Sequence, residues 1–275
     1  MREVIVAGGF DDLRSRQVRF LGAAARLGRV HVLMWSDEAL RAAEGKPCKF
    51  SQDERLYVLR AIRYVDRVTL SPDRVERDAL PPLEGPRPDV WVVEPGRDTP
   101  ARRAWCQGNG IECRALRPED LQGLPAVPPL ATEPTSRKER KKVVVTGCYD
   151  WFHSGHVRFF EEVAELGDLY AIVGHDENIR LLKGDGHPMF PDHERWYMVQ
   201  AVRHVKQALI STGHGWMDGE PEFLKIRPDI YAVNEDGDRP EKRDFCARRG
   251  IEYRVLKRVP RQGLPRREST NLRGF

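Results

Sequence analysis

The sequence predicts an α/β protein made of two tandem domains, each a doubly wound parallel sheet. Three observations carry this. β-Branched runs ended by glycine, such as "KKVVVTG" at 141–147, alternate with amphipathic stretches of helical period. That alternation is the pattern of parallel strands joined by covering helices. The chain also repeats itself: "ERLYVLRAIRYVDRV" (54–68) returns as "ERWYMVQAVRHVKQA" (194–208), and "RPDVWVVEP" (87–95) returns as "RPDIYAVNE" (227–235). Finally, the offset between copies is 139 residues at the first turn and 140 later, with one extra residue near 185–188. The repeating unit is therefore about 130 residues long, the size of a domain and not of a solenoid repeat.

The second copy shows each element most clearly. Its first strand, 141–147, reads as buried on both faces because valines run together. A helix is predicted from Ser154 to Leu166, with Val157, Phe160, Val163 and Leu166 on one stripe and Gly167 as its stop. A second strand follows at 169–174. Then come a glycine-containing loop that carries Lys183 and a helix from His193 to Val205 with Asp192 as its N-cap. The equivalent helix of the first copy opens on Ser51 and Glu54, a capping box. Strands at 208–212, 230–233 and 253–256 complete the unit. The layout is Rossmann-like, and such sheets bind ligands beyond the carboxyl ends of their strands. The expected boundaries are a first domain over 1–128, a linker rich in Pro, Thr, Ser and charge over 129–141, and a second domain over 142–275.

Composition narrows the class. Apolar residues make up 40% and charged residues 32% of 275, which describes a soluble globular chain. No apolar run approaches the ~20 residues that span a bilayer, and the N-terminus reads as a strand, so a cytoplasmic protein without a membrane partner is expected. Five cysteines without a CxxC pair argue against both a disulfide framework and a zinc site. Cys106 and Cys246 occupy matching helices and read as packing. The formal charge of +4 and a pI near 8.8 favour anionic partners, phosphorylated small molecules among them.

The chemistry concentrates in "CYDWFHSGHVRFF", 148–160. His153 and His156 open a helix directly after a strand, three residues apart and so on one side of its first turn. Gly155 between them lets a ligand approach the backbone, and free amides with the helix dipole favour an anion. Lys183 belongs to the same sheet edge. At the C-terminus, "ESTNLRGF" offers Ser269 and Thr270 as helix caps with Arg273 three residues on, a second phosphate cradle.

"GCYDWFHSGH", "LLKG", the Glu194–Arg195 pair and "STNLR" stand together in an order that resembles the HxGH nucleotidylyltransferases, and within them the cytidylyltransferases. The resemblance spans the second copy and, more weakly, the first. It implies that His153 and His156 stabilise charge on the α-phosphate of a nucleoside triphosphate and that Lys183 bridges phosphates of both substrates. It also implies that Ser269, Thr270 and Arg273 hold the β- and γ-phosphates. Gly147, Cys148, Tyr149, Asp150, Gly155, Asn234 and Asp236 would complete the nucleotide-binding set. The implied reaction is in-line attack by an acceptor phosphate on the α-phosphorus, with Mg²⁺ carried by the triphosphate and pyrophosphate released. The resemblance favours CTP as donor and a phosphoethanolamine-like or polyol phosphate as acceptor, in phospholipid-precursor synthesis. The lysine loop also resembles that of sugar-phosphate adenylyltransferases, which keeps ATP open. A non-catalytic nucleotide-binding regulator and an aminoacyl-tRNA synthetase fragment are the competing classes. The full set of phosphate-binding residues argues against the first, the missing KMSKS-type loop argues against the second, and no nucleic-acid partner is expected.

Two departures stand out. The family's RYVD is "RHVK" at 203–206, and the chain stops two residues after Arg273. In the first copy, Arg14, Arg16 and Gln17 replace His153, Gly155 and His156, and Glu44 replaces Lys183. "VPPLATE" at 127–133 stands where STxxR would be. The first copy is therefore expected to keep the fold without the chemistry, as half of an internal pseudo-dimer. A homodimer is also open, and Arg14 and Arg16 are candidates for residual anion binding.

Overall fold

The computed structural model describes residues 1–131, 140–269 and Leu272. The chain divides into two compact units, Met1–Gly123 and Leu124–Phe275. Thr270 and Arg273 lie outside the described residues.

The first unit runs β1 (Glu3–Gly8), α1 (Ser15–Ala25), β2 (Arg29–Met34), α2 (Asp37–Glu44), α3 (Gln52–Ala61), β3 (Arg67–Leu70), β4 (Val90–Val93), α4 (Pro100–Gly108), β5 (Glu112–Ala115) and α5 (Pro118–Leu121). The second runs β6 (Lys142–Gly147), α6 (Ser154–Leu166), β7 (Asp168–Val173), α7 (Asp176–Lys183), α8 (Asp192–Gln200), β8 (Val205–Ile210), α9 (Glu220–Ile226), β9 (Ile230–Asn234), α10 (Pro240–Arg249) and β10 (Glu252–Leu256). Each unit holds one five-stranded sheet, ordered β3-β2-β1-β4-β5 and β8-β7-β6-β9-β10. All pairings are parallel. The predicted fold class is observed twice, and in each sheet the strand before the histidine or arginine turn is central.

Valine runs explain the centre. Val143, Val144 and Val145 of β6 are fully buried because helices cover both faces of the sheet. One face carries Val144, Ile172, Phe223, Tyr231, Phe245 and Cys246; the matching core of the first unit holds Ile5, Leu33, Trp91 and Cys106. Helix α6 covers the predicted span and buries Val157, Phe160 and Val163. It stops at Gly167, where a Cβ would lie 2.1 Å from the Lys141 carbonyl oxygen.

The structure corrects three expectations. Lys183 is not in a loop: it is the last residue of α7, an eight-residue helix opened by His175, whose Nδ1 accepts from the Asn178 amide. So short a segment shows little periodicity, and its cap is an uncommon one. Asp192 does not cap α8, because Pro191 holds that position and Asp192 is the first helical residue. The same helix ends at Gln200, after which Val202, one turn on, bonds back to the Val199 carbonyl. The start of the expected linker is docked. The Gln207 side chain donates to the carbonyl of Pro129 at 2.9 Å and accepts from the Ala131 amide at 3.0 Å, and Leu130 packs on the core. Among the described residues no helix is long and apolar enough to cross a membrane.

Candidate active site

The turn after β6 sets the geometry. Tyr149 takes a left-handed backbone, φ 53°, uncommon for a residue with a side chain. Its ring folds back over Gly147, where an added Cβ would meet it at 2.7 Å. Packed between His156 and Phe160, the ring is buried, and burial pushes its phenol well up. The Asp150 carboxylate, part of the cavity lining, accepts the amides of Met189 at 2.7 Å and Phe190 at 3.1 Å. It fastens the turn to the segment after Lys183.

His153 is the N-cap of α6, and its Nδ1 accepts the Gly155 amide at 3.1 Å. With Nδ1 an acceptor, the neutral ring carries its proton on Nε2. That Nε2 is buried and has no hydrogen-bond partner among the described residues, and neither has Nδ1 of His156. The two rings are stacked, with centroids 4.0 Å apart. Burial first, and then the charges of Arg258 and Arg267, lower the His153 pKa to about 3. Burial, His153, Arg258 and Lys183 hold His156 well below its ordinary value. The site therefore holds two neutral imidazoles with unsatisfied nitrogens beside cations, an arrangement that a phosphate oxygen would complete. Gly155 is required for it, because a Cβ there would lie 2.9 Å from Cε1 of His153.

A cavity of about 440 Å³ opens beyond the carboxyl ends of the strands, lined by His156, Lys183, Asn234, Asp236, Arg258 and Ser269, with Gly147 to Asp150 along the turn. Sequence reasoning missed Arg258. It follows β10, is 18% exposed, pairs with Asp236 at 2.6 Å and donates to the Arg267 carbonyl at 2.8 Å. Its only sequence signal is its place just past the fifth strand, at the sheet edge where the ligand is expected. Lys242 and Asp218 are further buried charges on the wall, with Lys242 Nζ donating to the Gly237 carbonyl. Ser269 donates to the Trp151 carbonyl at 3.2 Å, which brings this residue against the histidine turn.

Arg195 explains the Glu–Arg pair of the motif. Its side chain is 1% exposed; Nε donates to the Phe190 carbonyl, and the two terminal nitrogens donate to the Cys148 carbonyl and the Asp176 carboxylate. It clamps the turn, the start of α7 and the following segment together. Arg55 makes the equivalent bonds in the first unit, to Phe50, Gly9 and Asp37. The clamp is a positioning device common to both copies.

The first unit shows what fills the phosphate side there. Arg14 caps α1 and pairs with Asp12 at 2.8 Å, Arg16 pairs with Glu94 at 3.2 Å, and Glu44 ends α2 where Lys183 ends α7. Both arginines expected to bind an anion face carboxylates of their own domain.

The family described as cytidylyltransferase-like matches residues 144–237. A protein named FAD synthase from Ferroglobus placidus is 37% identical over 123 residues, covering 42% of this chain and 75% of that protein. A protein of the same name from Archaeoglobus profundus is 34% identical over 119 residues, covering 42% and 73%. The bifunctional protein HldE of Methylococcus capsulatus is 35% identical over 104 residues, 38% of this chain and 21% of that one.

Proposed function

The chain belongs to the cytidylyltransferase-like family of nucleotidylyltransferases, and on that premise we propose that its second domain transfers an adenylyl group from ATP to a phosphorylated small molecule, releasing pyrophosphate. The observation that carries the reading is the pair of buried, neutral, unsatisfied histidines flanked by Lys183 and Arg258. An acceptor phosphate oxygen attacks the α-phosphorus, a new P–O bond forms, and the bond to the β-phosphate bridging oxygen breaks. Charge grows on the α-phosphate oxygens in the transition state. The Nε2–H of His153 and a ring N–H of His156 meet it from buried positions, where fixed donors act strongly. Lys183 and Arg258 offset the charge shared between acceptor and triphosphate. No group needs to form a covalent intermediate, so positioning supplies much of the rate. Mg²⁺ would arrive on the triphosphate oxygens and would offset their charge; among the described residues no cluster of three His, Cys, Asp or Glu side chains could hold a metal by itself.

ATP as donor is supported by the relatives named FAD synthase, whose product contains an adenylyl group; FMN is then the acceptor to test first. Cytidylyl transfer to a phosphorylated alcohol is the second reading, favoured by the description of the family matched over 144–237. The first domain is read as catalytically silent.

The test is pyrophosphate release by the full chain with Mg²⁺, each of the four nucleoside triphosphates, and FMN, phosphoethanolamine, glycerol 3-phosphate or a sugar 1-phosphate. Release with ATP and one acceptor, abolished by His156→Ala, supports the proposal. Release with CTP alone transfers it to the second reading. Triphosphate binding without turnover by any pair would place the chain among non-catalytic nucleotide binders.

A further inference from the structure

The first domain retains a cavity of about 370 Å³ beyond the carboxyl ends of its strands. The turn residues Gly8, Phe10 and Asp11, together with Gln17 and Phe20 of α1, stand where the second domain has the walls of its own pocket. The shape is kept, but the chemistry is changed. Glu44 replaces Lys183, Glu76 replaces Trp216 and Glu94 replaces Asn234. Trp35 stands in place of Gly174 and Trp91 in place of Tyr231, so two indoles border the space.

Arg77, Arg97 and Arg102 also line the space. Arg102 lies over the Trp91 ring at 4.7 Å and hydrogen-bonds to the carbonyls of Arg77 and Arg97. Arg77 donates to the Ala43 carbonyl at 3.1 Å, and Arg16 pairs with Glu94. Ionised carboxylates only accept hydrogen bonds; Glu44 pairs with Lys46 and Glu94 with Arg16, and Gln17 and Glu44 stand where the second domain has the phosphate-facing His156 and Lys183. Ligand pockets commonly run to ~300–1,000 Å³, so this space is large enough for a small molecule. Indole walls suit a flat ring, and acceptor-only carboxylates suit N–H donors.

We propose that the first domain is a second ligand site, which takes a phosphate-free nitrogen heterocycle of nucleoside size. Its ring lies along Trp35 and its N–H groups are held by Glu44, Glu76 and Glu94. This site is independent of the transfer chemistry and would exist whichever triphosphate the second domain uses.

Isothermal titration of the full chain, saturated with Mg²⁺ and the α,β-methylene analogue of ATP, tests it with adenosine, cytidine and guanosine as probes. One nucleoside is expected to bind per chain. Trp35→Ala and Glu94→Gln are each expected to weaken binding at least tenfold, and Glu165→Gln, at an exposed position of the second domain, is expected to leave it unchanged. Circular dichroism checks that the variants fold. Glu76→Gln, at an exposed position, serves as the reporter should Trp35→Ala not fold. Absence of binding by all three nucleosides overturns the proposal, as does binding indifferent to the first-domain variants. Because pyrophosphate release is a separate readout, failure here is distinguishable from failure of the transfer reading.

Discussion

The imidazoles of His153 and His156 lie 20° from parallel with their centroids 4.0 Å apart. Two imidazolium ions at that distance would repel by about 4 kcal/mol at an effective dielectric of ~20, so the stack is an arrangement of neutral rings. Burial depresses both pKa values in the same direction. The pair can therefore donate to a phosphate without itself carrying the charge that would draw water in.

Stability should fall in mild acid for this reason. Unfolded histidine takes a proton below pH ~6.5, whereas native His153 resists it down to about 3. Between those values the unfolded state binds more protons, so unfolding becomes easier as pH drops, by up to about 1.4 kcal/mol per pH unit for each histidine. Denaturant unfolding at pH 7.5 and pH 5 should show a larger loss for the wild type than for a His153→Asn, His156→Gln variant. Equal losses would contradict the buried-neutral assignment.

Gly155→Ala separates site geometry from stability. Alanine favours a helix over glycine by up to ~1 kcal/mol, so the melting temperature should hold or rise. The new methyl would displace the His153 ring, which a Cβ approaches to 2.9 Å. Turnover should then fall about 10²-fold, a loss comparable to removing one transition-state donor. Single-turnover kinetics beside a thermal melt would read both.

Lys183 and Glu44 end equivalent helices but should differ completely in effect. Lys183→Ala is expected to reduce kcat by roughly 10²–10³, measured as pyrophosphate release. Glu44→Ala is expected to leave it within twofold.

Truncating either buried arginine should destabilise its own domain. Arg195→Met leaves the Asp176 carboxylate and two carbonyls without their donor, at a cost of about 3–5 kcal/mol. Arg55→Met should do the same in the first domain. Hydrogen exchange resolved by peptide would locate the loosened segments at 148–150 and 176–190 in one variant, and at 9–11 and 37–50 in the other.

The repeat made the strands, their order of appearance and the histidine turn legible, because buried parallel strands and amphipathic helices leave strong periodic signals. Lys183 was legible as a sheet-edge cation but not as the end of a helix, since eight residues span barely two turns. Asp150, one of the implied nucleotide-binding set, lines the cavity, but the two backbone amides it also holds, some forty residues away, leave no local signal. Arg258 meets Asp236 across 22 residues, a pairing that no local spacing announces. What escaped sequence reading was mostly side chains whose partners lie on distant stretches of backbone.

All three groups that Arg195 grips are, like those of Arg55, either main-chain oxygens or the acid that begins the next helix. A main-chain oxygen is present whatever amino acid occupies the position. The scaffold of the turn is thus blind to the identity of the residues it displays. Cys148 could stand as Gly9, and His153 as Arg14, without the mould losing its form. One chain thus holds two pockets cast in the same mould and lined with different chemistry.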